Sequence, residues 1–184
     1  MTFRFVSGSL ALDFAGTLQH RRHDRRELLR DPADLLAWTT AAGLVTGTPA
    51  LRSGDLDRAV ALREAIFRAA GAAIRGEPPT EDDRATINSA AAPPPPVPSL
   101  PGPGGAAGDP VHRAGDVRAA LSQVARAAID LLGGAVPGTL KECGSGTCTR
   151  LYLDTSRRGT RRWCDMRECG NRAKAAAFRA RQRT

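Results

Sequence analysis

The chain has 184 residues, enough for one domain of ordinary size or for one domain with a small appendage. Only 4% of the residues are aromatic, so the core must be built mainly from aliphatic side chains. No apolar run is long enough to cross a membrane and no signal-peptide pattern is visible, which predicts a cytoplasmic protein without a membrane partner.

The positive charge is concentrated near the C-terminus. Residues 141–184 contain twelve of the 27 basic residues but only four of the 19 acidic ones, which leaves 15 of each before position 141. A strongly cationic segment attached to a neutral body is typical of proteins that contact nucleic acids or other polyanions.

The first 134 residues predict a mostly helical domain with four or five helices. Cap residues and apolar residues at helical spacing define these helices. They run from Ser9 to Gly16, from Asp31 to Gly43, from about Asp55 to Arg75, from Thr80 to about Ala92, and from Asp116 to Gly133. The longest helix is expected to bury Ala59, Leu62, Ile66, Ala69 and Ala73, and the last one Val117, Leu121, Val124, Ala128 and Leu131. The fold class is therefore mainly α.

Three polar residues near the N-terminus are candidates for a site. We interpret Asp13 as a carboxylate that satisfies local backbone N–H groups rather than as a ligand contact. His20 and His23 are three residues apart, but no acid or cysteine is placed to complete a metal site, so we expect a solvated, mobile loop. The body also lacks a phosphate-binding loop, paired carboxylates and a nucleophile with a placed base, and we expect no enzymatic activity.

The composition changes abruptly to Pro, Gly and Ala from Pro93 to Gly108. Consecutive prolines cannot occupy the interior of a helix. We therefore predict a loop or linker over residues 93–114 within the helical domain, with Val97–Leu100 at best an edge strand of a degraded hairpin.

The four cysteines occur as two pairs with the same internal spacing. Cys143 and Cys148 bracket four residues, as do Cys164 and Cys169, and fifteen residues separate the pairs. Two tight turns that each direct two thiolates at one point fit a tetrahedral metal, and we predict Zn²⁺ as the cofactor. Two disulfides are the alternative, but they need an oxidising compartment, for which no export signal is visible.

A strand pair and a helix are predicted around these cysteines, within residues 135–184. Leu151–Leu153 is a strand candidate, Arg161–Trp163 its expected partner, and Asp165 the start of a helix that ends near Gln182. A knuckle around the first cysteine pair, then a hairpin and then a helix are typical of a treble-clef zinc finger. We expect Trp163 to pack against the metal loop, and one face of the helix to pack on the hairpin through Met166, Cys169, Ala173, Ala176 and Ala180.

Neutralising phosphate is the simplest reason to maintain so many cations on this helix and hairpin. The predicted nucleic-acid contacts are Arg161, Arg162, Arg172, Lys174, Arg179, Arg181 and Arg183. Duplex DNA is the expected partner, and RNA stays open because backbone contacts do not choose between nucleic acids. The alternative is an interaction module in which Phe178 docks the helix on another protein or on a second copy, as a homodimer.

Two groups of motifs resemble known bacterial domains. Leu140-Lys141-x-Cys143-x4-Cys148 and Cys164-x-Met166-x2-Cys169-Gly170-Asn171-Arg172 resemble the CGNR zinc-finger family. Upstream, Leu12-Asp13-Phe14-x2-Thr17 and Ala61-Leu62-Arg63-Glu64-Ala65 resemble its usual partner, the ABATE domain, here residues 1–134. The resemblance implies a stress-related transcription regulator that holds zinc with its four cysteines. A small-molecule effector of the helical domain stays open, by analogy with one-component regulators.

Overall fold

The computed structural model describes residues 2–100 and 111–182, and helices form most of its secondary structure. The body contains α1 (Leu10–Ala15), α2 (Pro32–Ala41), α3 (Asp55–Ile74), α4 (Glu81–Ala91) and α5 (Val117–Leu132). Three antiparallel strand pairs are β1 (Leu18–Gln19) with β2 (Arg26–Glu27), β3 (Val97–Ser99) with β4 (His112–Ala114), and β5 (Thr139–Glu142) with β6 (Leu151–Asp154). A π-helical turn (Met166–Gly170) leads into α6 (Asn171–Arg181). The predicted mainly α class is confirmed.

Side-chain caps begin three of the body helices at the residues that the sequence predicts. Each cap oxygen accepts a hydrogen bond from the backbone N–H three residues on, from Asp31 at 2.8 Å, Thr80 at 3.2 Å and Asp116 at 2.9 Å. Helix α3 differs, because no side chain caps it. Gly54 precedes the helix with a left-handed φ of 77°, a conformation that favours glycine, and the Asp55 carboxylate accepts from the N–H of Arg52 instead.

The core of the body lies where α1, α3 and α5 meet. Phe14 of α1 packs on Trp38 of α2 with ring centroids 4.7 Å apart, and both side chains are buried. All five residues predicted for the buried face of α5 are buried, and so are four of the five predicted for α3. Ala73 is the exception: it is exposed, whereas its neighbour Ala72 is buried.

The proline-rich segment forms part of a strand pair. Val97–Ser99 pairs with His112–Ala114, as the degraded hairpin of the sequence prediction requires. The Thr46 N–H and hydroxyl both bond to the Arg113 carbonyl, which fixes β4 against the body. The rest of the predicted loop, residues 101–110, lies outside the described residues.

The C-terminal strand pair shares a hydrophobic core with the body. Leu151 and Leu153 of β6 pack with Leu12 of α1, Ala70 of α3 and Leu131 of α5. The Leu153 N–H also donates to the Ser7 carbonyl at 2.7 Å. The cysteine-containing segment is therefore packed onto the body along one side.

Helix α6 makes few contacts with the rest of the described chain. None of its residues is buried, and it contacts mainly the π-helical turn from which it grows. The predicted packing of Ala173, Ala176 and Ala180 on the hairpin is wrong, because β5 and β6 direct their apolar side chains toward the body instead. Within the described ranges, no helix combines the length and the apolarity needed to cross a bilayer.

Candidate metal centre

The four cysteines converge on one point. Their sulfurs all lie within 4.8 Å of one another, and none of the four is in a disulfide. Cys143, Cys164 and Cys169 are buried, whereas Cys148 is partly exposed. The Sγ atom of Cys164 lies 3.8 Å from that of Cys148 and 3.7 Å from that of Cys169. A tetrahedron of sulfurs about 2.3 Å from a central zinc has edges of about 3.8 Å, so the donor set fits the metal in both chemistry and size.

The first cysteine pair lies in the connection between β5 and β6. The predicted partner of Leu151–Leu153 is wrong, because β6 pairs with Thr139–Glu142. The loop that contains the first cysteine pair, residues 143–148 and called the knuckle below, therefore closes the hairpin. The Cys148 N–H donates to the Ser145 carbonyl at 3.0 Å and closes a tight turn. Gly144 lies so near the segment before Cys164 that a Cβ on it would be 3.1 Å from the Arg162 carbonyl oxygen. The Gly144 N–H donates to that same oxygen at 2.8 Å, which brings the two cysteine pairs together.

Side chains rather than a β-ladder hold residues 155–163 beside the hairpin. The buried Asp154 carboxylate accepts from Lys141 Nζ at 2.7 Å and from the Arg161 N–H at 3.0 Å. It also accepts from the backbone and the hydroxyl of Ser156. The Lys141 ammonium that donates to Asp154 holds the pKa of that carboxyl well below its usual range. The buried Tyr152 donates its hydroxyl to the Arg161 carbonyl at 2.6 Å.

Arg161 is hydrogen-bonded within the fold, and its role as a nucleic-acid contact stays a prediction. Its Nε donates to the Trp163 carbonyl at 2.8 Å, and its Nη2 donates to the carbonyls of Val6 and Cys164. The guanidinium also lies over the Tyr152 ring, 4.7 Å from the centroid. Arg161 therefore positions Cys164. Sequence reasoning missed this because a basic residue in a basic segment looks the same whether it faces solvent or backbone.

The second cysteine pair lies at the start of the C-terminal helical segment, as predicted. Asp165 follows Cys164 and accepts from the Arg167 N–H at 2.9 Å, and Cys169 falls in the π-helical turn that Asp165 caps. Trp163 packs beside the cysteine cluster, near enough that a Cβ on Gly170 would lie 3.3 Å from its ring. The predicted packing of Trp163 against the metal loop is confirmed.

The thiols differ in their readiness to ionise. Hydrogen bonds from the thiols of Cys148 and Cys164, and then from the Cys164 N–H, lower the pKa of Cys143 to about 2. Burial, together with the charges of Cys148 and Cys143, raises the pKa of Cys169 to about 12. Hydrogen bonding to Cys143 and Cys148 and burial raise the pKa of Cys164 as well. Four thiolates in this space would repel one another and need a cation among them.

A buried arginine joins the cysteine segment to the body. Arg150, just before β6, donates to the Ser7 hydroxyl at 3.2 Å and lies 3.7 Å from Asp13, with 8% of either side chain exposed. Asp13 itself accepts from the N–H groups of Val6 and Ser7 at 3.0 and 2.9 Å, which confirms its predicted backbone role. Burial raises the pKa of Asp13, and these hydrogen bonds and the Arg150 charge oppose the shift.

The β1–β2 hairpin of the body contacts the knuckle from the other side. His20 Nδ1 lies 2.9 Å from the Thr147 carbonyl, and His23 Nε2 lies 3.2 Å from the Gly146 carbonyl. Arg22 makes a bidentate ion pair with Glu142 at 2.5 and 2.9 Å. The expectation of a mobile loop missed these contacts because the partners lie more than a hundred residues away in sequence. The histidines themselves belong to no metal-binding cluster among the described residues.

The other predicted nucleic-acid contacts remain on the surface where the structure describes them. Arg162 is exposed and lies over the Trp163 ring, 5.4 Å from the centroid. Four more are exposed on α6, and these are Arg172, Lys174, Arg179 and Arg181. Arg183 lies outside the described residues. Apart from Arg161 and Arg183, the predicted cations are therefore exposed on the cysteine segment.

Two known families match the sequence in successive segments. Residues 8–135 match the ABATE family, described as "Putative stress-induced transcription regulator". Residues 139–182 match the CGNR zinc finger. No curated protein matches the chain. Because the first match covers well over half of the sequence and the second contains all four cysteines, the protein belongs to the ABATE family and carries a C-terminal CGNR zinc finger.

Proposed function

We propose that the protein is a zinc-dependent, DNA-binding transcription regulator in which the metal centre supports α6 and α6 contacts the phosphate backbone. The role is one of binding rather than catalysis. Its family, with the description "Putative stress-induced transcription regulator", supports the regulatory part of the proposal. Within the protein, the observation that carries it is the exposed state of α6.

The four thiolates would hold a single Zn²⁺. Zinc accepts a closed shell of four sulfurs in structural sites, and the distances between the cysteine sulfurs match that shell. The metal would connect the knuckle to the π-helical turn, so it would fix the base of α6. Its part is structural, and recognition falls to the side chains of α6.

Helix α6 has the properties of a segment that binds a partner. It is eleven residues long and buries no side chain, and helices of this length are marginal in water without tertiary packing. Arg172, Lys174 and Arg179 project from it without a hydrogen bond or ion pair to any described residue. Three cations without counter-ions are stabilised by phosphate, and each contact releases condensed counter-ions from the nucleic acid.

Binding of labelled duplex DNA by the zinc-loaded protein at 50 and 200 mM salt tests the proposal. If Arg162, Arg172, Lys174 and Arg179 each neutralise one phosphate, the logarithm of affinity should fall with the logarithm of salt with a slope of about −3.6, roughly a hundredfold over this range. The triple variant Arg172→Ala, Lys174→Ala, Arg179→Ala should lose most of that slope. Undetectable or salt-insensitive binding by the zinc-loaded protein would refute the proposal.

A matched control removes positive charge far from the finger. Arg113 of β4 and Arg118 of α5 are exposed, and their side chains have no hydrogen bond or ion pair in the described part of the chain. Arg118 lies about 20 Å along α5 from Leu131, where the finger packs. The double variant Arg113→Ala, Arg118→Ala should bind DNA like the wild type. Selection from mixed DNA and RNA pools would then identify the preferred nucleic acid.

A protein-interaction role is the second candidate, and one side chain favours it. Phe178 is 55% exposed on α6, and an aromatic ring on a helix without packing is a common anchor for a protein partner or a second copy. A dimer that persists at high salt and disappears in Phe178→Asp, measured by light scattering, would favour this function. Salt-dependent DNA binding that the uncharged variant Phe178→Ser leaves intact would favour the first.

A further inference from the structure

The β1–β2 hairpin, residues 18–27, is part of the body in sequence, but in the fold its positive charge lies beside the finger. It contacts the knuckle through His20, Arg22 and His23. The Arg21 N–H also donates to the hydroxyl of Thr149 at 3.0 Å. These contacts fix the hairpin beside the metal centre, so its free side chains extend the surface of the finger.

Two of the four arginines of this hairpin are used within the fold. Arg21 is buried, bonds to Glu64 at 2.5 Å and lies over the Phe67 ring, and Arg22 pairs with Glu142. Arg25 and Arg26 are exposed, and their side chains make no hydrogen bond or ion pair with any residue that the structure describes.

The acidic residues of the hairpin leave a positive balance. Glu27 bonds to the buried Arg63 at 2.6 Å and does not neutralise the hairpin. Asp24 is exposed and lies next to Arg25 in sequence, so it offsets one of the two free cations. The exposed tip therefore keeps a positive charge that the local acids do not remove.

A cleft of about 170 Å³ connects this hairpin to α6. Arg26 and His20 line it from the body, and Arg172, at the start of α6, lines it from the finger. Its other cations are occupied, because Arg4 pairs with Asp165 and Glu168, and Arg150 lies beside Asp13. Arg26 and Arg172 are thus the free cations of the cleft among the described residues.

The metal centre decides where an anion can approach. Three of the cysteines line the cleft, and four thiolates around one divalent cation carry a formal charge of about −2. Phosphate would be repelled from the floor of the cleft and attracted to its rim. Arg26 and Arg172 lie on that rim, and Arg25 is exposed next to Arg26 in the sequence.

We propose that the β1–β2 hairpin forms the second half of the nucleic-acid surface, with Arg25 and Arg26 contacting backbone phosphates beside those held by α6. The inference rests on the function proposed above and extends the interface from the finger onto the ABATE body. The partner then spans the rim of the cleft and holds body and finger together. Phosphate contacts of this kind set orientation and affinity rather than sequence preference.

The double variant Arg25→Ala, Arg26→Ala tests this inference in the zinc-loaded full chain. Two lost phosphate contacts should make the salt slope shallower by about 1.8 and weaken duplex binding by about 10- to 100-fold at 0.1 M salt, equally for unrelated sequences. Arg113→Ala with Arg118→Ala removes the same charge at the far end of α5 and should leave the slope unchanged. Arg25→Lys with Arg26→Lys should restore most of the lost affinity.

Zinc content and thermal unfolding of each variant separate a lost contact from a lost fold. Neither should change in Arg25→Ala, Arg26→Ala, because both side chains are exposed and without partners in the described chain.

If the wild type binds DNA and this variant binds with the same slope and affinity, the inference is overturned and the function proposed for α6 stands. If the wild type itself fails to bind, the proposed function fails, and the inference fails with it. An equal loss in the Arg113, Arg118 control would also overturn the inference, because net charge alone would then explain the effect.

Discussion

The finger base, residues 139–170, and α6 use the same residue types in opposite ways. In the base, Lys141, Arg150 and Arg161 are bound to carboxylates and carbonyls, and all four cysteines point inward. In α6, Arg172, Lys174 and Arg179 point into solvent from a helix without a buried residue. These three cations of the base are satisfied within the fold, whereas those of α6, like the exposed Arg162, remain available.

This difference shows that position in the fold, not charge alone, separates structural from binding cations. Desolvating an arginine is costly, so a buried one must be matched by acceptors, as Arg150 and Arg161 are. An exposed cation costs little and contributes little to stability until a polyanion approaches. Substitutions of the bonded cations and the cysteines of the base should therefore reduce folding and metal binding, whereas substitutions of the exposed cations of α6 should reduce partner binding.

The largest effect is expected at a metal ligand. Cys164→Ser should abolish binding of one Zn²⁺ and unfold the finger base, because structural zinc contributes on the order of 10 kcal/mol to small domains. Native mass spectrometry with and without a chelator measures the metal directly, and Thr160→Ala, at an exposed position of the same segment, is the control. Full zinc occupancy in Cys164→Ser would contradict the assigned ligand set.

The buried arginine between finger and body should have the next largest effect. Arg150→Ala leaves the Asp13 carboxylate without its cation and empties a buried position, and we expect a loss of about 3 kcal/mol in the free energy of unfolding. Urea unfolding followed by circular dichroism measures the loss. Arg158→Ala, at an exposed position, should change stability by less than about 0.5 kcal/mol. Equal stability of the two variants would mean that the body and the finger are not coupled through Arg150.

Local signals in the sequence predicted most of the body and the metal ligands. Short stretches of sequence are enough to show the caps at Asp31, Thr80 and Asp116, the apolar spacing of α5 and the pairing of the cysteines. The contacts of the β1–β2 hairpin with the knuckle were missed because they join residues more than a hundred positions apart. No local pattern records such a contact.

The prediction for α6 shows a second limit. Small residues at helical spacing indicate a face that can pack closely, but they do not show that any surface is present to pack against. The hairpin that was expected to receive Ala173, Ala176 and Ala180 instead directs Leu151 and Leu153 into the core shared with the body. The strand partner of β6 was misassigned for a related reason, since Thr139–Glu142 carries as weak a strand pattern as Arg161–Trp163.

A moderate effect is expected from the hydroxyl that supports the second cysteine pair. Tyr152→Phe removes the hydrogen bond to the Arg161 carbonyl without changing the packing of the ring, and should cost about 1 kcal/mol. Urea unfolding of the zinc-loaded protein measures this cost, and competition with a chelator shows whether zinc is also held less tightly. Wild-type stability together with wild-type zinc affinity would show that the Arg161–Cys164 segment is held without this bond.

The smallest effect is expected from glycine in α6, and it tests whether this helix packs against the rest of the protein. Ala176 is exposed in a helix that buries nothing, so Ala176→Gly should increase local fraying of α6 and change the global free energy of unfolding by less than about 0.5 kcal/mol. Ala125 is fully buried in α5, and Ala125→Gly should cost at least about 1 kcal/mol through helix propensity and the lost methyl group. Urea unfolding of the pair measures the global difference, and amide hydrogen exchange locates the opening. A global loss in Ala176→Gly as large as that in Ala125→Gly would mean that α6 packs against the protein in solution, and its cations would then be less available for DNA than proposed.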